Sequence, residues 1–440
     1  MTAETLALFP DSARIDDTGS LVVGGCGVRR TADQFGTPLY LYDGETLDRA
    51  VEAYRTALSR CYPGAAQIAY AAKAWLCSAS ARWIAAKGIG LDVVSGGELA
   101  IALHGGVPAD HIHFHGNNKS DRELAQALDA GVGRIVVDHP DELARLDELA
   151  IACGRRQAIW LRVNPDVDTD THHHTQTGHA ASKFGLSLRD GTAEAVALDA
   201  LRRAGVELAG LHCHIGSQLR DAEPLAVAAQ RLLDLAARLR DATGWQPAEL
   251  STGGGWAVAY TAEQLADLPP VETYVARVSE AVVQRCRQHE LALPRLVLEP
   301  GRSLVARAGV AVYTVGAVKP AGDVTYAFVD GGLADNPRHA LYGATYTALL
   351  ANRRGDAARQ RVHVAGPYCE TGDVLIEDIE LPPLVPGDLL AVPVSGAYQL
   401  SMASNYNAAL RPAVVWLEDG QATLVQRRET LDDLLRRDLV

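Results

Sequence analysis

"QIAYAAKAW", residues 67–75, reads as a buried β-strand that stops on a lysine. After Gln67 the run to residue 72 is apolar, and Lys73 comes directly after it. Such a lysine either lays its stem along apolar surface or stands at the strand end because its amine is used. The same grammar recurs along the chain. "GLDVVS" (90–95), "HIHFHG" (111–116), "RIVVD" (134–138), "AIWLRVN" (158–164), "ELAGLHCH" (207–214), "AELSTGG" (248–254) and "RLVLEPG" (295–301) are short runs of strand type. Between them lie helical stretches such as "DELARLDELAIACG" (141–154) and "EPLAVAAQRLLDLAARLRDAT" (223–243), with apolar residues three and four apart. Strict alternation of strand and helix implies a parallel sheet. Eight such units in about 250 residues match a closed (β/α)₈ TIM barrel, with an open doubly wound sheet as the alternative.

After residue 305 the rhythm changes. "GVAVYTVGAV" (309–318), "VTYAFVDGG" (324–332), "RVHVAG" (361–366), "DVLIEDIEL" (373–381), "GDLLAVPVSGAY" (387–398), "PAVVWLEDG" (412–420) and "QATLVQRRE" (421–429) are strand-like runs punctuated by Gly, Pro and Asp. "LVVGG" (21–25) and "PLYLYD" (38–43) have the same character. The expected organisation is therefore α/β plus β. Residues 1–45 supply strands to a β domain, 46–305 form the barrel, and 306–440 form the rest of the all-β domain, which both chain ends build.

Composition sets the bounds. With 440 residues, 48% of them hydrophobic and 22% charged, the chain has ample core for two folded domains. A net charge of −13 argues against nonspecific nucleic-acid binding. Seven widely spaced cysteines, with no CxxC pair, suit neither a disulfide framework nor a zinc site. No basic-then-apolar leader and no membrane-length apolar run is visible, so a cytoplasmic protein without membrane contact is expected.

In a (β/α)₈ barrel the working residues sit at the C-terminal ends of the strands. Here those ends read Lys73, "SGGE" (95–98), "HGNNKS" (115–120), "NP" (164–165), "HCHIGS" (212–217), "GGGW" (253–256) and "EPGR" (299–302). Each has an ordinary reading alone: a tight turn for the glycines, a satisfied core histidine, a structural ion pair for Glu299. Together they offer an amine for a Schiff base, a side-chain-free cradle for phosphate, an imidazole and a carboxylate. Pyridoxal 5′-phosphate needs that set, including an acid to keep its pyridine nitrogen protonated.

"YAAKA", "HCHIGSQ", "GGG", "EPGR", "DGG", "CETGD" and "GAY" together resemble the fold-type III pyridoxal-phosphate decarboxylases. "FHGNNKS" (114–120), "TGHAASKFG" (177–185), "DNPRHALYGA" (335–344) and "SMASNYN" (401–407) narrow the resemblance to the diaminopimelate decarboxylases, from about residue 30 to 435. The resemblance implies that Lys73 carries the cofactor and that His214 stacks on its ring. Ser217 and Gly253, Gly254 and Gly255 would bind its phosphate, with Gly301 and Arg302 also beside it. Glu299 would pair with the pyridine nitrogen, and Tyr398 would lie close by. Arg302, Arg338 and Tyr342 would hold the far amino-acid end of a small-molecule substrate, meso-diaminopimelate, which decarboxylates to L-lysine. Cys369 and Glu370 would enter from the second subunit of a homodimer, Cys369 as proton donor and Glu370 on the distal ammonium. The alternative is a decarboxylase of another basic or carrier-bound amino acid on the same fold. The chain departs from the family pattern at Pro367-Tyr368, Thr371 and Gln399-Leu400. "HHH" (172–174) has no spacing suited to one metal ion, and no metal is expected.

Overall fold

The computed structural model describes residues 3–167, 182–355 and 358–439. The "HHH" run and most of "TGHAASKFG" lie outside the described residues. The chain divides into two compact units, residues 52–257 with 269–301, and residues 1–51 with 258–268 and 302–440.

The first unit is the barrel. Its strands are β1 (Ala66–Ala71), β2 (Gly90–Val93), β3 (Ile112–Phe114), β4 (Arg134–Val137), β5 (Gln157–Asn164), β6 (Val206–His212), β7 (Glu249–Ser251) and β8 (Arg295–Leu298). Each pairs in parallel with the next. Closure comes from β8 on β1, with Leu296 opposite Ala66 and Leu298 opposite Ile68. The sheet is therefore a closed barrel and not an open one. The crossover helices are α1 (Ser78–Lys87), α2 (Gly96–His104), α3 (Asp121–Ala130), α4 (Pro140–Ala152), α5 (Thr192–Ala200), α6 (Glu223–Thr243) and α7 (Val271–Gln288). Local chemistry sets their starts. Ser95 caps α2 by accepting from the Glu98 amide, and Ser120 with Glu123 forms a reciprocal capping box on α3. "SGGE" is thus a helix start.

The barrel interior is filled by side chains. Trp160 packs with Ala69, Val136, Ala209 and Val297. Its indole N–H donates to Glu249 (2.7 Å), which also takes a two-pronged bond from Arg134 (2.6 and 2.8 Å). Arg134 and Glu249 open β4 and β7, so this buried polar group lies at the end of the barrel opposite the strand exits. Further along, the Trp160 ring lies 4.4 Å from that of His113 and 6.4 Å from that of His212.

The second unit is rich in sheet. Its sheet runs Val374–Leu381, Gln360–Ala365, Val324–Val329, Gly309–Ala321, Leu39–Asp43, Ala413–Glu418, Gln421–Gln426, with Leu389–Val392 also on Gly309–Ala321. Leu39–Asp43 pairs antiparallel with the start of Gly309–Ala321 and parallel with Ala413–Glu418. Both chain ends thus build one sheet. Phe9, Leu21, Leu39, Leu41, Val310, Val312, Leu389 and Val415 share its core. Among the described residues no helix is long and apolar enough to cross a membrane.

Candidate active site

At the exit of β1 the chain makes one 3₁₀ turn, Ala72–Ala74, and Lys73 is exposed on it. Two contacts brace that turn. The buried Tyr70 hydroxyl donates to the Trp75 carbonyl (2.7 Å), and the Ala71 amide donates to the Pro300 carbonyl at the exit of β8 (3.2 Å). A Cβ on Gly301 would stand 3.1 Å from Ala71 Cβ and 3.3 Å from Ala74 Cβ. Glycine here lets the β8 exit close on the turn that presents the amine.

The exits of β6, β7 and β8 meet backbone to backbone. The Glu299 amide donates to the Gly253 carbonyl (2.9 Å), and the Leu219 amide to the Gly255 carbonyl (2.9 Å). Gly253 and Gly255 take φ of 70° and 109°, a region that favours glycine. A Cβ on Gly254 would lie 2.1 Å from the Glu299 carbonyl oxygen, and one on Gly255 would lie 2.3 Å from that of Gly216. The result is a concavity of main-chain groups without side chains, which suits a phosphate. Ser217 is half-buried in the β6 exit loop. The Gly254 amide donates to His214 Nδ1 (3.3 Å), so that nitrogen is an acceptor and Nε2 carries the proton of a neutral ring. Burial, reinforced by the charge on Lys73, pushes His214 well below the ordinary histidine value. A neutral imidazole face is what stacking on a cofactor ring requires.

Glu299 is buried, with one oxygen taking the Ser251 hydroxyl (2.6 Å) and the other 3.0 Å from His212 Nε2. Beyond it stand His115, with Nε2 3.9 Å from Glu299 Oε1 and 3.6 Å from Asp92 Oδ1, and His113, with Nδ1 2.9 Å from the same Asp92 oxygen. Burial, then the Asp92 charge, pushes Glu299 up to about 7. Burial also acts to raise Asp92, but its contacts with His113 and His115 outweigh that and hold it well below the carboxylate range. His115 and His212 are lowered, chiefly by burial. Asp92 is thus the fixed anion of the cluster and Glu299 the tunable one. The donor atoms of Asp92, His113 and His115, and of His115, His212 and Glu299, lie within 4.8 Å of one another, spacing a metal ion would also accept. Direct Ser251–Glu299 and His113–Asp92 bonds link part of the group, while Asp92 Oδ2, His115 Nε2 and His212 Nδ1 are buried without a hydrogen-bond partner among the described residues.

The sheet-rich unit carries a separate cationic cluster. Arg302 and Arg338 are 9% and 6% exposed. Each donates through Nη1 to the Tyr260 hydroxyl, at 2.7 and 3.0 Å. Arg338 Nη1 also donates to the Tyr346 hydroxyl (2.6 Å), and the Arg302 guanidinium lies 4.7 Å over the Tyr398 ring. Gln399 is fully buried and bonded to Ser395 (3.2 Å), so this departure from the family pattern turns into the unit and not into solvent. Buried Asp335 holds the loop leading to Arg338. It accepts from Tyr313 (2.6 Å), Tyr40 (2.8 Å) and the Gly332 amide (2.8 Å). Asp373 joins that loop to "CETGD" by accepting from the Leu333 and Tyr368 amides (2.7 and 2.8 Å). A Cβ on Gly332 or Gly366 would meet its carboxylate at 2.3 Å. Tyr342, Cys369 and Glu370 are exposed in the single chain, outside the arginine cluster; Tyr406 donates to Glu370.

The chain matches the model of the pyridoxal-dependent decarboxylase pyridoxal-binding domain over residues 45–306. It is 42% identical over 430 residues to the diaminopimelate decarboxylase of Bacillus subtilis (strain 168), covering 97% of each. This chain belongs to the diaminopimelate decarboxylase family. A second family member, from Actinosynnema pretiosum subsp. auranticum, is 44% identical, over 98% of this chain and 95% of its own. The crystal structure of the M. jannaschii diaminopimelate decarboxylase in complex with L-lysine matches with a TM-score of 0.91 and 33% identity, covering 98% of both chains. That of the Helicobacter pylori enzyme with L-lysine matches at 0.84 and 31%, over 93% of this chain and 98% of its own. A lysine/ornithine decarboxylase from Vibrio vulnificus, at 24% identity and a TM-score of 0.76, shares the fold. Like its family, the chain is a pyridoxal-phosphate-dependent carboxy-lyase.

The structure brings Lys73, His214, Ser217, Gly253–Gly255, Glu299 and Gly301 to the strand exits of one barrel, and Arg302, Arg338 and Tyr398 into one cluster of the other unit. Sequence reasoning assigned no role to Asp92, His113, His115, His212, Ser251, Tyr260 or Tyr346. A signal existed for two of them: in "HIHFHG" the period of two puts His113 and His115 on one face of β3.

Proposed function

We propose that this carboxy-lyase removes the carboxylate at the D-configured centre of meso-2,6-diaminopimelate, giving L-lysine and CO₂, the last step of lysine biosynthesis. The observation that carries the substrate assignment is the buried arginine pair. Arg338 has no ion-pair partner among the described residues, and a buried guanidinium without an anion is costly. A second carboxylate on the substrate supplies that anion, and guanidinium suits it because its fork bonds both oxygens.

The residues fit the cofactor. Lys73 would hold it covalently through its amine, the Gly253–Gly255 turn and Ser217 would take its phosphate, and neutral His214 would lie on its ring. Glu299 would pair with the ring nitrogen. Pyridoxal phosphate, when bound, supplies an electron sink for the pair left behind as CO₂ departs. Arg302 and Arg338 hold the far end of the substrate, with Tyr342 beside them, and fix which carboxylate is lost. The Cys369 thiol gives its proton to Cα and regains one from water; Glu370 contacts the distal ammonium. Both sit exposed on the single chain, which supports the reading that they serve the partner site of a homodimer. All seven cysteines are free, as a cytoplasmic location would have them.

Replacing Arg338 by Gln tests the substrate assignment. The variant is expected to raise KM for meso-diaminopimelate by about tenfold or more, since it loses a charged hydrogen bond. An unchanged KM would remove Arg338 from substrate binding.

A further inference from the structure

We infer that Tyr260 is a specificity-determining positioning residue, whose single hydroxyl clamps Arg302 and Arg338 together as one receptor for the distal carboxylate. This rests on the reading that the two arginines bind that carboxylate.

Two like charges buried side by side repel one another unless something between them accepts from both. Tyr260 is that acceptor. It is 5% exposed, and Nη1 of each arginine donates to its oxygen, at 2.7 and 3.0 Å. Both lone pairs of the phenol are thereby used, and its own proton remains as a donor. The ring contributes as well: the Arg338 and Arg302 guanidinium carbons lie 5.0 and 6.0 Å from its centroid. Tyr346 holds the Tyr260 ring from the side, edge to face at 5.4 Å and 88°, and separately accepts from Arg338.

The consequence is geometric. With each Nη1 bonded to the same oxygen, Tyr260 sets the separation of Arg302 and Arg338 and ties the two guanidinium groups into one unit. One carboxylate can then take donors from both arginines at once, with the phenolic proton as a further donor. A substrate with only an ammonium at its far end finds three donors and no acceptor. Selection for the dicarboxylate is thus built as much into the phenol as into the two cations.

The test is Tyr260→Phe in the full-length holoenzyme, with Tyr346→Phe and Arg338→Gln in parallel. Phe keeps the ring and removes only the oxygen. For Y260F, KM for meso-diaminopimelate is expected to rise about ten- to a hundredfold, the range for lost charge-assisted bonds. Its kcat at saturation is expected to change about threefold or less. Y346F removes an acceptor from Arg338 alone and is expected to raise KM by less than Y260F does. Unchanged KM in Y260F, a fall in kcat alone, or equal effects of Y260F and Y346F would overturn the clamp. A KM raised in Y260F but not in R338Q would overturn the arginine reading beneath it. Cofactor absorbance and the melting temperature report folding, and if Y260F fails to fold, Y260H, which restores a ring acceptor, is expected to keep KM below that of R338Q.

Discussion

Glu299 receives its environment from four elements: the Ser251 hydroxyl at the end of β7, His212 at the end of β6, and, acting through space, Asp92 on β2 and His115 just past β3. Burial and the Asp92 charge favour the acid, while His115 and, after it, the Ser251 hydroxyl bond favour the carboxylate. Removing that bond in Ser251→Ala is therefore expected to raise Glu299 further. If Glu299 must be ionised to hold the ring nitrogen, the acid limb of kcat/KM against pH moves to higher pH in S251A, and an unmoved limb would separate Glu299 from catalysis. The same shift has a stability consequence with a definite sign. A carboxyl raised in the folded state binds its proton more tightly there than in the unfolded chain. Its contribution is complete below the ordinary glutamate value and is lost as pH rises through about 7. Cofactor-free protein is expected to lose stability across that window, and Glu299→Gln is expected to flatten that part of the curve, measured by urea unfolding at a series of pH values.

At the scale of elements, the barrel is pinned by an ion pair with almost no solvent. Lys119, in the loop after β3, meets Glu142 of α4 at 2.7 Å, and their side chains are 1% and 0% exposed. Lys119 Nζ also donates to the carbonyls of Gly116 (2.6 Å) and Val136 (2.8 Å), and Glu142 accepts from the Asp138 amide (3.1 Å). Lys119→Met would strand a carboxylate in the interior. The expected cost is about 3–5 kcal/mol in urea unfolding, much of it regained in the double variant with Glu142→Leu. No recovery in the double variant would locate the loss in the carbonyl bonds instead. Most of the barrel strands were legible because strands covered on both faces read as near-continuous apolar runs, and "HIHFHG" by its alternation. Their ends were not. "AELSTGG" suggests a strand over 248–254, but the strand is Glu249–Ser251, since Gly253 turns with φ of 70°. "RLVLEPG" likewise stops at Leu298, before Pro300. In both cases the residues mistaken for strand are those that shape the site. Leu186–Ser187, which pairs with the end of β5, is too short to leave any pattern. The aspartate–histidine group behind Glu299 was hidden for another reason: Asp92 and His113 are ordinary strand residues until the pairing of β2 with β3 sets them opposite one another. Tyr260 sits in a turn-rich stretch where nothing local marks it.

For the whole molecule, the two units hold different sets of the candidate residues. The barrel holds the groups suited to a cofactor, and the sheet-rich unit holds the groups suited to a second carboxylate. Exposed Cys369 and Glu370 add the homodimer proposal, which subunit mixing can check. Lys73→Ala and Cys369→Ala are each expected to be inactive alone. Unfolded and refolded together, they are expected to regain up to about one quarter of wild-type activity, because half of the chains pair as heterodimers with one intact site. No regain would put Cys369 and Lys73 of one chain in the same site. The central claim is the substrate, and product formation tests it most directly. Purified protein with pyridoxal phosphate would be offered meso-, LL- and DD-diaminopimelate, L- and D-ornithine, L- and D-lysine and L-arginine, with CO₂ and amine products quantified. The expected result is equimolar L-lysine and CO₂ from the meso isomer and no turnover of the others. Turnover of a substrate lacking the second carboxylate, with none of meso-diaminopimelate, would contradict it.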